Sequence, residues 1–226
     1  MTEQGIRAAE PWLDPQFARQ WAAHDGIADQ LAFPRQIAAA VAAQNRPDAR
    51  LIVDIGSGPG DFLAVMLEQF PDARGVWTDA SAAMRELAEQ RLAPYSGRVE
   101  YAIVDMTALS ERIPRDVDVI TTSRAAHHLD RAGLRSFYRE VADHLAPGGW
   151  LANLDHIGPS KEWDARLRAA RKQFRSSAED GPKHHHNYPL TSVDDHLAAL
   201  AAAGLQDCEI AWRAFITCLF LARRDG

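Results

Sequence analysis

Cysteine is scarce in this 226-residue chain: only Cys208 and Cys218 occur, both near the C-terminus and without metal-type spacing. In an acidic, enzyme-like chain such a pair reads as buried thiols rather than as a disulfide framework. A basic excess is missing as well. Lys and Arg number 25 against 31 Asp and Glu, a formal net charge of −6, which argues against a nucleic-acid partner gripped through its backbone. No apolar run approaches the roughly 20 residues needed to cross a bilayer, so no membrane partner is expected. The start, Met1-Thr2-Glu3-Gln4, has neither a basic stretch nor an apolar core of signal-peptide type, and the reading is cytoplasmic. Internal repeats and long low-complexity stretches are lacking too. What is present, 46% apolar and 25% charged residues, suits one α/β domain with a real core.

The N-terminal part, residues 1–46, reads as a helical cap. Trp12, Phe17 and Trp21 recur at helical spacing, as do Ile37 and Val41, and Pro34 is placed where a second helix would begin. A regular alternation then runs over residues 50–155. Leu51 to Ile55 is a short apolar run of the kind buried on both faces of a sheet. Further strands are predicted over Gly75–Asp79, Arg98–Val104, Val117–Thr122 and Trp150–Asp155. Helices are predicted over Phe62–Phe70, from the Ser81 cap to Leu92, and over Arg131–Leu145. That order implies right-handed βαβ units and a parallel sheet covered on both faces. Residues 156–226 differ: a polar helix (162–174), a histidine-rich loop (176–189), a helix (192–203) and two closing strands (205–212 and 215–222) turning at Arg213-Ala214. The closing pair implies an antiparallel last strand.

The sharpest local signal is Val53-Asp54-Ile55-Gly56-Ser57-Gly58-Pro59-Gly60. Glycines between a buried strand and a helix let the backbone turn tightly and approach a ligand at free helix N–H groups. The spacing is Gly-x-Gly-x-Gly, whereas the dinucleotide pattern has two residues before its last glycine. Asp54 beside the loop suits a ligand ammonium and would repel a pyrophosphate. A plain glycine turn with an incidental Asp is the alternative. Asp79, about 20 residues on, ends the next strand, where a carboxylate can accept from both ribose hydroxyls. Asp105 ends the third strand, where it can accept from an adenine amine while Met106 packs on the ring. Acids at three successive strand ends converge on one crevice.

Together with Asp118 to Ser123, His127-His128-Leu129 and Leu145 to Gly149, these residues resemble the ordered motifs of class I S-adenosylmethionine-dependent methyltransferases. The likeness covers about residues 50–155. It implies a seven-stranded Rossmann-like sheet with its last strand antiparallel, helices on both faces and extra N-terminal helices. It also implies S-adenosylmethionine as cofactor, with S-adenosylhomocysteine as product. By the resemblance, Asp54, Gly56, Ser57, Gly58 and Gly60 hold the methionine end, Asp79 with Ala80 the ribose, and Asp105 with Met106 the adenine. The Ser123 backbone lines the methionine, and Arg35 meets its carboxylate.

Methyl transfer needs orientation of two reactants, exclusion of water, and a base where the acceptor carries a proton. Arg124, His127 and His128 follow the fourth strand at the crevice edge. His128 serves either as a base or as a packing residue for the next helix. Arg124 forks onto an acceptor carboxylate, or is solvated or paired internally. The run Lys183-His184-His185-His186-Asn187-Tyr188-Pro189, taken with Asp155-His156 at the end of the fifth strand, has three readings. It is a solvated loop, a lid over the acceptor with one histidine as base, or a metal site. The candidate assignments are His128 and His186 as catalytic groups, and Arg124, His127, His156, His184 and Tyr188 as acceptor-binding groups, with no metal. The expected acceptor is a small molecule. RNA or protein methylation, and a non-methylating enzyme or sensor using the same cofactor, remain as alternatives.

Overall fold

The computed structural model describes residues 12–23, 27–109, 112–171, 173 and 189–226. Two helices open it, α1 (Pro15–Ala23) and α2 (Ile27–Asn45). The alternating part comprises β1 (Leu51–Ile55), α3 (Asp61–Gln69), β2 (Arg74–Asp79), α4 (Ala82–Arg91) and β3 (Val99–Ile103). It continues with β4 (Val117–Ser123), α5 (Arg131–His144) and β5 (Leu145–His156). The last part holds α6 (Lys161–Arg171), α7 (Val193–Ala202), β6 (Leu205–Ala214) and β7 (Thr217–Arg224).

The seven strands form one sheet in the order β3-β2-β1-β4-β5-β7-β6. Strands β1 to β5 are parallel to one another, and β7 runs antiparallel to both β5 and β6. Alternate residues of each strand face opposite layers. Ile52, Trp77, Val119 and Leu219 pack under the first three long helices, with Leu31 and Ala38 of α2 and Phe62 and Met66 of α3. Val53, Val76, Ile120 and Phe220 pack on the other side, with Tyr138 and Val141 of α5 and Leu200 of α7. Ser81 and Asp130 cap α4 and α5 through side-chain oxygens, and Ser192 with Asp195 closes a capping box on α7.

Three local expectations change. Pro34 lies inside α2 rather than at its start, giving up one helical hydrogen bond, because Leu31, Ala38, Ala39 and Ala42 bury a continuous face across it. Strand β5 begins at Leu145, not Trp150; the chain stays beside β4 through Pro147 and Gly148, with the register shifting between Val117 and Val119. The closing hairpin turns at Phe215 and Ile216, two residues past the expected site, with Phe215 at φ +52°. Among the described residues no helix is long and apolar enough to cross a membrane.

At the foot of the sheet, Arg46 donates from Nε (3.0 Å) and Nη2 (2.6 Å) to Asp118 Oδ1, while Asp118 Oδ2 accepts from the N–H groups of Arg50 (2.8 Å) and Leu51 (3.1 Å). One carboxylate thus ties the end of α2 and the starts of β1 and β4 together. The opposite end, where the strands finish, is left for a ligand.

Candidate active site

Strand β1 runs out at Ile55 and the chain turns through Gly56 and Gly58, both at positive φ (+61° and +53°). At Gly56 a Cβ would stand 2.6 Å from the Ala125 Cβ, so no side chain fits. At Gly58 it would meet nothing within 4 Å, since that residue borders the cleft. Strand β2 holds the turn from behind. Ser57 N–H donates to the Thr78 carbonyl (2.9 Å), Gly58 N–H to Asp79 Oδ2 (2.9 Å), and Trp77 Nε1 to the Gly58 carbonyl (2.9 Å).

Asp54 is buried beneath the turn. Its carboxylate accepts from Ser57 Oγ (2.5 Å) and Thr121 Oγ1 (2.8 Å), so it braces the loop from inside and does not line the cleft. Burial pushes its pKa up to about 6, against the opposing pull of those two hydroxyls and of Arg35. Gly60 also stands back from the cleft, serving as the left-handed N-cap of α3.

Asp79 lines the cleft. Its carboxylate accepts from Gly58 N–H and Ser81 N–H (2.9 Å each) and keeps further lone pairs toward the open side. Desolvation raises its pKa to about 6 and the neighbouring charge of Asp105 adds to that, while the backbone N–H groups of Ser81, Gly58 and Ala80 oppose it. Asp105 Oδ1 accepts from Thr107 N–H and Oγ1 (2.8 Å each), which aims the group into the same cleft beside Met106. Phe62, Met84 and Val104 provide apolar walls. Ser123 also lines it, and its buried Oγ has no hydrogen-bond partner.

The cleft also has aromatic and cationic lining. Trp12 meets Phe17 and Trp21 edge-on at 5.4 and 5.0 Å between ring centroids. Arg124, at φ +55°, lays its guanidinium over the Trp21 ring at 4.4 Å. His128 borders the cleft with its ring 6.0 Å from Trp12. Arg35 is buried in the wall with Nη1 3.9 Å from Asp61 Oδ2.

Most of the sequence-derived residues therefore meet in one cleft: Arg35, Gly56, Ser57, Gly58, Asp79, Ala80, Asp105, Met106, Ser123, Arg124 and His128. His127 and His156 do not line it. They are buried behind His128, one bonded to Asp155 and the other to Thr217. His184, His186 and Tyr188 lie outside the described residues. Among the described residues no three His, Cys, Asp or Glu side chains converge as a metal site. Asp61, Met84 and Trp77 were not foreseen. Met84 had a signal, one turn after the Ser81 cap, whereas Asp61 and Trp77 act through contacts that only the packing defines.

A glycine turn with carboxylates at the ends of adjacent parallel strands defines a nucleoside-binding α/β protein. Residues 52–149 match the family model described as a methyltransferase domain. The chain is 37% identical over 138 residues to a trans-aconitate 2-methyltransferase of Azoarcus sp., covering 55% of this chain and 50% of that one. It is 32% identical over 110 residues to the 3-amino-4-hydroxybenzoate 4-O-methyltransferase of Streptomyces cremeus, covering 48% and 29%. It thus spans half of the first relative's length and less than a third of the second's. An O-methyltransferase family protein from Burkholderia thailandensis shares the fold, with TM-score 0.68 at 20% identity over 93% of this chain and 62% of that one. Residues 52–149 thus form a methyltransferase domain with the fold and cleft of the class I S-adenosylmethionine-dependent methyltransferases.

Proposed function

We propose that this protein transfers a methyl group from S-adenosylmethionine to a small acceptor bearing a carboxylate. The observation that carries the reading is the polarity of the cleft. The acids Asp79 and Asp105 and the cation Arg124, stacked on Trp21, line the same cleft. The names of the two curated relatives, with aconitate and hydroxybenzoate acceptors, support the same class.

The residues present fit the cofactor. The Gly58 edge is open where a methionine end would lie, and the buried Ser123 Oγ lacks a partner beside it. Asp79 and Ala80 would take the ribose, Asp105 and Met106 the adenine, and Ser57, Gly58, Ser123 and Arg35 the methionine end. Asp54, Gly56 and Gly60 shape the turn. When bound, the cofactor supplies a methyl carbon already activated by a sulfonium. The protein's part is to align the acceptor and exclude water. Stacking on Trp21 fixes the plane of the Arg124 guanidinium, whose charge attracts an acceptor carboxylate.

The test is methyl-labelled cofactor with purified protein and a panel of small carboxylic acids, their amides, and transfer RNA and peptide controls. Label in the acids but not in the amides is expected. Cofactor binding without label in any small acid overturns the reading, and label in RNA or peptide would replace it.

A further inference from the structure

Behind the cleft lies a buried acid that the reading above does not use. Asp155 on β5 is inaccessible to solvent, yet its carboxylate collects three contacts. Oδ2 accepts from His127 N–H (2.9 Å), Oδ1 accepts from His156 N–H (2.7 Å), and Oδ1 meets His127 Nδ1 at 2.5 Å. Gripping both the backbone and the ring of His127 fixes the Ala126–His128 turn and the plane of the imidazole. The His127 ring packs between two others. His156 lies 5.1 Å away and is tied to Thr217 Oγ1 at 3.1 Å, while His128 lies 4.1 Å away at an interplanar angle of 36°. His128 is the outermost of the three and the one that borders the cleft.

We infer that Asp155 and His127 are positioning residues that hold His128 as the proton acceptor for a hydroxyl or amine acceptor. The inference rests on the methyl-transfer reading of the cleft and narrows its substrate class to acceptors whose reacting atom carries a hydrogen. A buried carboxylate held by an imidazole is poor value for stability alone, because its desolvation is costly. A negative charge fixed behind an imidazole, however, favours the imidazolium that forms when the ring takes a proton. For a hydroxyl acceptor, the oxygen–carbon bond forms as the carbon–sulfur bond breaks with its electron pair going to sulfur. The hydroxyl proton then passes to a ring nitrogen of His128. An acceptor oxygen that is already ionised releases no proton and leaves His128 nothing to take.

Burial raises the Asp155 pKa, and the backbone N–H groups of His156 and His127 oppose it. Among the described residues, the titratable and charged groups near His128 include Asp155 and His156 on β5, His127 and Arg124 on its own segment, and Arg35 and Asp105, which line the same cleft. Asp155 is the carboxylate on the buried side, so replacing it removes a negative charge that favours a proton on His128.

The experiment compares wild type, His128→Gln and Asp155→Asn on ring-substituted hydroxybenzoates whose hydroxyl pKa straddles the assay pH. Both variants should lose at least about tenfold in kcat on the weakly acidic hydroxyls, the scale of general-base catalysis, with cofactor affinity kept within about twofold. The loss should shrink to less than about threefold on acceptors already ionised. The acid limb of the kcat profile should vanish in His128→Gln and move to lower pH in Asp155→Asn. Equal losses on every acceptor, or no loss in His128→Gln, overturn the inference. If Asp155→Asn does not retain the cofactor, His127→Phe keeps a ring in the stack and the backbone bond to Asp155 while removing the ring's own bond to it. An unshifted pH profile there overturns the positioning role. Absence of any methyl transfer by the wild type would instead sink the function on which this rests.

Discussion

The indole nitrogen of Trp77 donates to the carbonyl oxygen of Gly58 across 2.9 Å, so the middle of the glycine turn hangs from a residue buried in the neighbouring strand. On its other side the Gly58 N–H is held by Asp79. Both polar groups of one peptide position are thus anchored to β2, and the loop is set before any ligand arrives. Trp77→Phe keeps most of the ring but removes the donor. It should cost about 1–3 kcal/mol of stability, the scale of one buried group left unpaired. Cofactor affinity should fall with it, because part of the loop's order must then be supplied on binding. Urea unfolding and calorimetry check both; unchanged affinity with lowered stability would mean that the loop is set without the indole.

Asp79 carries a second expectation, about pH. Its pKa in the folded protein is raised to about 6, so it holds a proton at mildly acidic pH and loses it near neutrality. A carboxylate accepts from two ribose hydroxyls, whereas a carboxylic acid gives up part of that capacity. Cofactor affinity should therefore decline as pH falls through about 6, with protons released on binding in that range. Asp79→Ala should weaken binding by more than about tenfold at pH 7.5, the loss of a charge-assisted pair worth about 1.5–3 kcal/mol. A wild-type affinity that is flat from pH 7.5 to 5 would remove Asp79 from the ribose contact.

Much of this was legible in the chain because parallel strands advertise themselves. Leu51 to Ile55 and Val117 to Thr122 are apolar runs stopped by glycine or polar residues, and an acid just past a strand end has few structural reasons to be there. What stayed hidden depends on contacts between distant segments. Asp155 and His127 are 28 residues apart and meet because β4 and β5 pair in register. Phe215 turns the last hairpin at positive φ without the glycine or asparagine that would have marked it. Pro34 stays within α2 because the packing of its alanine-rich face outweighs one lost hydrogen bond.

His196 gives a stability effect of opposite sign to that of the raised acids. It stacks on Phe220 at 4.7 Å, with Nδ1 on the Tyr138 hydroxyl at 2.6 Å and Nε2 on Thr191 Oγ1 at 2.9 Å. Burial lowers its pKa, so the folded protein keeps it neutral while the unfolded chain takes up a proton near 6.5. Its contribution is full above about pH 6.5 and declines as pH falls below that value, because the unfolded state then binds more protons. In His196→Gln the stability should be lower at pH 7.5 but should fall less steeply toward pH 5. Parallel wild-type and variant curves from urea unfolding at several pH values would show that His196 does not set the acid limb.

Two glycines of the same turn should respond differently to one added methyl group. Gly56→Ala brings a Cβ to 2.6 Å from Ala125 Cβ at φ +61°, so steric overlap adds to backbone strain. Gly58→Ala carries only the backbone term, φ +53° with open space around the new carbon, which costs about 1–2 kcal/mol for an L-residue in the left-handed region. That open space borders the cleft, so the Gly58 methyl would stand where the proposed function puts the methionine end of the cofactor. The expected pattern is a larger loss of folding stability in Gly56→Ala, and a loss of cofactor affinity in Gly58→Ala greater than its stability loss explains. Thermal unfolding and calorimetry on the two variants separate the effects. Full affinity in Gly58→Ala would show that no ligand atom comes near this edge of the turn, and the methionine end would have to be placed elsewhere in the cleft.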